Sequence, residues 1–141
     1  MRRTLIALVV SALALVGVLA ATAASAKTVK FEIALKGTNE KPAAPASNKG
    51  RVEVTLNTTT GKVCWEFKLA KIDGKPTQSH IHKGKASVSG NVVVPLGASY
   101  KRQGCTHAAK SLVKSIAGHP ALYYVNVHNA KHPLGAMRGQ L

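Results

Sequence analysis

Short segments in which apolar and polar residues alternate recur along the chain, and each ends in residues that favour turns. In residues 29–35 every second position is Val, Phe, Ile or Leu, and residues 51–56 and 62–69 follow the same pattern. Because successive side chains of a strand point to opposite faces, each segment fits a strand with one buried face. Several such strands, separated by Gly, Pro, Asn and Asp, predict an all-β sandwich or barrel.

The remaining segments add further strands and one helix to this prediction. Strands are expected around His80 and at residues 91–96, 123–128 and 137–141. In residues 108–117 the apolar side chains recur at helical spacing instead of at every second position. A Gly-His-Pro sequence then ends this segment. We therefore expect an all-β sandwich with one short helix.

The N-terminus has the pattern of a secretory signal peptide. Two arginines precede an apolar run over residues 5–20, and residues 24–26 read Ala-Ser-Ala, which suits cleavage. An uncleaved membrane anchor is the alternative, and the small residues favour cleavage. We expect a signal peptide over residues 1–26 and one secreted or cell-envelope domain over residues 27–141, with no membrane span after cleavage.

The chain is strongly basic, with 20 Lys and Arg against five acidic residues and a formal net charge of +15. The charge is spread along the chain and does not form a tail. A field of this sign attracts anionic polymers and surfaces without specifying which. The expected partners of an exported protein are anionic cell-surface polymers or lipid, with solubility alone as the alternative. No nucleic-acid-binding motif is present.

Two cysteines, Cys64 and Cys105, are present. An even number in an exported protein predicts a disulfide. Cys64 lies on the polar face of its strand, so a disulfide would join the connection near Gly104 and Cys105 across the outside of a sheet. A free thiol pair, or copper ligation together with His107, is the alternative.

Three histidines make the strongest candidate site. In Ser79-His80-Ile81-His82 the two rings point to one face, and His128 shares a face with Tyr124 and Asn126 in the second segment. Two imidazoles on one strand with a third nearby suit copper or zinc. In the alternative, the three rings form a hydrogen-bonded cluster between two strands with Asn126 and Gln78. A fourth metal ligand would come from one of three other histidines: His107, His119 or His132.

Arg138 lies near the C-terminus, and alternation places it on the polar side of its strand with Gln140. One expectation is a salt bridge to Glu40 that fastens the long loop after residue 36 to the last strand. In the alternative, Arg138 lies beside the histidines as an anion contact, since guanidinium suits carboxylate or phosphate. Glu40, Asn126 and Arg138 are therefore candidates for a ligand-binding or structural polar cluster.

The chain resembles the CHRD domain, the module repeated in chordin and found alone in many secreted bacterial proteins. The resemblance lies in residues 35–42, Gly50, the His80 and His128 segments, and residues 133–135 and 138–141. It implies an immunoglobulin-like β-sandwich that is distantly similar to copper/zinc superoxide dismutase. Those dismutases also carry a His-x-His pair on a sandwich strand. Their long metal-binding loop has no counterpart here, so dismutase activity is not expected.

The first functional prediction is a secreted, non-enzymatic binding or structural module of the CHRD type, with a basic surface for anionic extracellular ligands. The second is a copper- or zinc-binding envelope protein that uses His80, His82 and His128. A redox enzyme ranks last. The chain has no Gly-x-Ser-x-Gly or His-Glu-x-x-His motif and no phosphate-binding glycine loop.

Overall fold

The computed structural model describes residues 27–141, which form eight β-strands and one α-helix. The strands are β1 (Thr28–Lys36), β2 (Lys49–Asn57), β3 (Lys62–Lys71), β4 (Pro76–Lys83), β5 (Val92–Pro95), β6 (Gln103–His107), β7 (Tyr123–Asn129) and β8 (Met137–Gln140). The helix, α1, is Lys110–Gly118, and short 3₁₀ turns occupy Gly37–Asn39 and Pro120–Leu122. The predicted signal peptide, residues 1–26, lies outside the described residues.

All eight strands belong to one antiparallel sheet in the order β5-β4-β7-β8-β1-β2-β3-β6. The sheet curls, so that its two halves enclose one apolar core in a sandwich-like arrangement. The core combines side chains from both halves with two from α1: Ile33, Val54, Phe67, Ile81, Val125, Val113 and Ile116. The predicted all-β fold with one short helix is therefore confirmed. Among residues 27–141, no helix is long and apolar enough to cross a membrane.

The first three strands follow the predicted alternation. Ile33, Val52 and Phe67 lie opposite one another across β1, β2 and β3, and all three are buried. The turn between β2 and β3 begins at Asn57. Its Oδ1 accepts hydrogen bonds from the backbone N–H groups of Thr59 at 3.0 Å and Thr60 at 2.9 Å. The turn ends at Gly61, whose φ of 77° favours glycine. Local turn chemistry and burial thus agree on the register of this hairpin.

Strand β6 corrects the sequence prediction, which leaves Gly104 and Cys105 in a connection. Its sequence has no apolar alternation, because β6 is an edge strand that contributes no buried residue. Packing on β3 explains its position instead. Gly104 lies against the indole of Trp65, where a side chain would collide, and Trp65 Nε1 donates to the Lys101 carbonyl at 3.0 Å.

Cys64 and Cys105 lie directly opposite each other in β3 and β6 and form the predicted disulfide. Their Cα atoms are 4.0 Å apart, as expected for a closely spaced antiparallel pair. Cys64 lies on the outer face of β3, while its neighbours Val63 and Trp65 are buried. The cross-link therefore joins two adjacent strands of the sheet.

Replacing both cysteines by serine is expected to lower the free energy of unfolding by about 4 kcal/mol. The two residues are 41 positions apart, and opening a loop of that length restores conformational entropy to the unfolded chain. Urea denaturation followed by Trp65 fluorescence measures the change. Thr55→Ala, which alters the residue opposite Cys64 in β2, is the control and should cost less than about 1 kcal/mol. Equal losses in the two proteins would contradict the assignment.

Candidate metal centre

The pairing of β4 with β7 brings the three predicted histidines together. His80 lies opposite Asn126, and Gln78 lies opposite His128. Residues two apart on a strand share a face, so His80, His82 and His128 project from one side of the sheet. This is the side that faces away from Ile81 and the apolar core.

The three imidazoles converge in space. Their ring centres are 5.0 Å apart for His80 and His128, 5.5 Å for His80 and His82, and 6.1 Å for His82 and His128. One nitrogen of each ring lies within 4.8 Å of the corresponding nitrogens of the other two. Among residues 27–141, these three form the one group of His, Cys, Asp or Glu side chains with metal-ligand spacing.

Backbone carbonyls determine which nitrogen of two of the rings carries the proton. His82 Nδ1 lies 2.8 Å from the Gly90 carbonyl, and His128 Nδ1 lies 2.9 Å from the Pro133 carbonyl. A carbonyl only accepts hydrogen bonds, so both Nδ1 atoms carry hydrogen. Each neutral ring therefore has its lone pair on Nε2, the atom that is left to bind a metal.

The lone pairs of the cluster have few partners. His128 Nε2 and His80 Nδ1 are buried without a hydrogen bond. His82 Nε2 lies 3.0 Å from the Asn126 carboxamide. The oxygen Oδ1 of that carboxamide faces His82 Nε2, so a neutral Nε2 accepts from Asn126 only when the carboxamide is turned to present its NH₂ group. The alternative of a hydrogen-bonded cluster is thus met in part by Asn126, while Gln78 is exposed and bonds none of the described rings.

Burial keeps the three rings neutral. It lowers the pKa of His80 to about 4, and the nearby His128 and His82 rings add to the effect. It also lowers the pKa of His82 and that of His128. The cause is the cost of placing a charge where water is excluded. At neutral pH all three imidazoles are therefore in the form that ligates metals.

The other histidines lie outside the cluster. His107 lies opposite Lys62 in the edge strand β6, and His119 follows the end of α1. His132 Nε2 lies 3.6 Å from a carboxylate oxygen of Asp73. None of them joins the group, so the sequence-based suggestion of a fourth histidine ligand is not met.

Arg138 fastens two loops over the face that carries the histidines. Its guanidinium donates to the carbonyls of Asn39 at 2.7 Å, Val88 at 3.0 Å and Ala86 at 2.6 Å. Its central carbon lies 4.4 Å from the centre of the Tyr124 ring, which in turn stacks on His82 at 4.8 Å. Arg138 is only 2 % exposed. The buried guanidinium therefore links the loop after β1, the loop after β4 and the histidine face.

Glu40 is buried near Arg138 but does not form the expected salt bridge with it. No ion pair among residues 27–141 includes Glu40, because the Arg138 guanidinium donates to loop carbonyls instead. Burial raises the pKa of the Glu40 carboxyl to about 7, against the opposing charge of Arg138 and the backbone N–H of Lys41. Gly135, with a φ of 144°, lies against this carboxyl, and a side chain there would collide with it.

Sequence reasoning named the three histidines, Asn126 and Arg138 as candidate site residues. It missed the stacking of the Tyr124 ring and the hydrogen bonds from the histidines to loop carbonyls. The stacking of Tyr124 on His82 follows from their opposite positions in β7 and β4. Alternation placed Tyr124 on the histidine face but could not supply that register. The Gly90 and Pro133 carbonyls belong to loops and leave no signal in the sequence, because every residue carries such a group.

Replacing Arg138 by lysine is expected to lower the free energy of unfolding by about 3 kcal/mol. Arg138 reaches the three carbonyls from three different nitrogens, whereas lysine carries its donors on one atom and has no planar group to stack on Tyr124. Each lost charged hydrogen bond costs about 1.5–3 kcal/mol. Chemical denaturation measures the change. Arg102→Lys, at an exposed position, is the control and should change stability by less than about 0.5 kcal/mol. Equal effects in the two variants would contradict the role assigned to Arg138.

The comparison with protein families gives a match to one domain model. The model for the CHRD domain matches residues 31–141, which include all eight strands apart from the first residues of β1. Comparison with curated proteins and with solved structures gives no significant match. The match covers the histidine segments, the disulfide and Arg138 together, and the chain belongs to the CHRD domain family.

Proposed function

We propose that this CHRD domain is an exported, non-enzymatic module that binds one copper or zinc ion through His80, His82 and His128. The supporting observation is the convergence of three neutral imidazoles, each with one nitrogen within 4.8 Å of a nitrogen of the other two. Imidazole is a common ligand of both metals, and sets of three histidines occur in zinc sites with one open position.

The hydrogen bonds around the rings support this proposal. Metal-binding histidines usually donate their other N–H to a carbonyl or carboxylate, which fixes the ring orientation. The Gly90 carbonyl serves His82 in this way, and the Pro133 carbonyl serves His128. Both rings are thus oriented before any ion binds, and two buried nitrogens of the cluster have no protein partner.

The spacing of the nitrogens requires only a small adjustment. Zinc–nitrogen bonds of about 2.0–2.1 Å in a tetrahedral site place ligand nitrogens about 3.4 Å apart. The nitrogens here lie within 4.8 Å, a difference that small ring rotations can close. Three ligands leave a coordination position for water or another small ligand.

The proposal of export combines two features. The first is the signal-peptide pattern of residues 1–26. The second is the Cys64–Cys105 disulfide, since disulfides persist mainly in oxidising compartments.

The first test is titration of the purified protein with Zn²⁺ and Cu²⁺ by calorimetry. We expect one equivalent to bind to the parent and none to His80→Ala/His82→Ala. Binding should weaken as the pH falls, because protons compete for the ligating nitrogens. The lowered pKa values of the three rings place that competition below the ordinary histidine range near 6.5, toward about 4 for His80.

The matched control for this titration is His107→Ala/His119→Ala, which removes two exposed histidines outside the cluster. It should bind the same single equivalent as the parent. Metal binding by the His80/His82 variant at the parental affinity, or no binding by the parent, would overturn the proposed site.

A second candidate function, the binding of anionic extracellular polymers, is supported by the strand register. Lys36 lies opposite Lys49, which lies opposite Lys71, and in the next row Arg51 lies opposite Lys68. All five side chains are exposed on the outer face of β1, β2 and β3. We call these five cations the basic rows.

The basic rows are unfavourable for the isolated protein. Like charges directly opposite each other destabilise a sheet by a few tenths of a kcal/mol or more per pair. Among residues 27–141, the ion pairs of this face are few, and within the rows only Lys68 lies near an acid, with 3.9 Å to Glu66. A linear polyanion lying across the rows would relieve this repulsion and gain from the local field.

We predict that the triple variant Lys49→Gln/Arg51→Gln/Lys68→Gln binds a sulfated polysaccharide at least about tenfold more weakly than the parent. Three charges leave one surface, so the salt dependence of binding should also become shallower. Titration of heparin at several salt concentrations measures both effects.

The control for this experiment removes the same charge elsewhere, in Lys62→Gln/Lys75→Gln/Lys110→Gln, whose three side chains are exposed. It should weaken binding by less than about threefold. Equal losses in the two triple variants would mean that net charge alone attracts the polymer, and would remove the basic rows as a specific surface.

A further inference from the structure

We infer that the three-histidine site prefers cuprous ion, Cu⁺, over the divalent ion Zn²⁺, an inference that rests on the proposed metal-binding function. Two features of the structure lead to it. The ligands carry no negative charge, and a buried cation lies close behind them.

The ligand set is wholly neutral. Three imidazoles form the cluster, and among residues 27–141 no carboxylate or thiolate joins it. Both cysteines are in the disulfide, so no thiol competes for the metal. A bound ion therefore keeps its full charge in a half-buried place, and the cost of that charge rises with the valence of the ion.

The buried cation is Arg138. It is 2 % exposed and has no acidic partner within ion-pair distance among the described residues. Spacings of 4.4 Å from Arg138 to Tyr124 and 4.8 Å from Tyr124 to His82 place the guanidinium carbon within about 9 Å of the His82 ring centre.

The magnitude of this repulsion is large enough to affect which ion binds. One additional unit of charge at about 10 Å from Arg138, with an effective dielectric constant of about 20, changes a binding constant by roughly 15-fold. Glu40, the buried acid near Arg138, compensates only in part, because burial raises the pKa of its carboxyl to about 7 and leaves it partly protonated at neutral pH. The positive net charge of the chain adds repulsion of the same sign.

The number of ligands in the cluster also favours Cu⁺ over Zn²⁺. Zn²⁺ usually takes four ligands, whereas the cluster offers three. A cuprous ion is satisfied by two or three nitrogen ligands and needs no further anion. The site thus provides what a monovalent ion requires and lacks the negative charge that a divalent ion gains from carboxylate ligands.

The test measures Cu⁺ and Zn²⁺ affinities of the purified protein under anaerobic conditions. Bathocuproine disulfonate with ascorbate reports Cu⁺, and a chromogenic zinc chelator reports Zn²⁺. We expect Cu⁺ to bind at least tenfold more tightly, and to be lost in His80→Ala/His82→Ala. Tighter binding of Zn²⁺ by the parent would overturn the preference and leave the proposed function intact. Binding of neither ion would overturn both.

Charge substitutions at Gln78 test the electrostatic cause without disturbing Arg138. Gln78 is exposed, lies opposite His128 and shares a strand face with His80. Gln78→Glu should shift the ratio of Cu⁺ to Zn²⁺ affinity toward Zn²⁺ by about five- to tenfold, and Gln78→Lys should shift it toward Cu⁺.

The matched control is Gln103→Glu, the same substitution at an exposed position of β6, at the other end of the sheet. It should change the affinity ratio by less than about threefold. Equal shifts from Gln103→Glu and Gln78→Glu, or shifts of the same sign from Gln78→Glu and Gln78→Lys, would overturn the electrostatic explanation.

Discussion

The burial of one permanent charge organises the face of this domain that carries the three histidines. A guanidinium cannot lose its proton, so Arg138 must find acceptors for its N–H groups once it is covered. Backbone carbonyls of two loops supply them, and these loops are thereby drawn over the sheet. The loop after β4 then brings the Gly90 carbonyl to His82. The protonation state of a candidate ligand thus depends on the loop that satisfies an arginine.

The alternation of side chains explains why much of this site could be predicted from sequence. His80 and His82 had to share a face, as did Asn126 and His128, whatever the order of the strands. What alternation could not supply was that β4 and β7 are neighbours in the register that opposes His80 to Asn126. That register comes from burial of Ile81 and Val125 on the other face, a tertiary property.

Two predictions failed for identifiable reasons. Strand β6 has no apolar pattern, because its place in the sheet comes from Trp65 and the disulfide and not from burial of its own side chains. The proposed Glu40–Arg138 salt bridge assumed that opposite charges on one face must pair. Carbonyls that need donors compete for the same guanidinium, and a buried carboxyl can instead remain protonated near neutral pH.

The sheet ends in two short edge strands, β5 and β6, which affect how this domain can contact other chains. An edge strand presents unpaired N–H and C=O groups onto which a foreign strand can add. At one end, β5 has only four residues and ends in Pro95, which has no N–H to donate. At the other, β6 has five residues and is covalently fixed to β3 by the disulfide, so it cannot slip or exchange. The sheet therefore offers only short edges for strand addition, and the disulfide keeps β6 from exchanging with another chain.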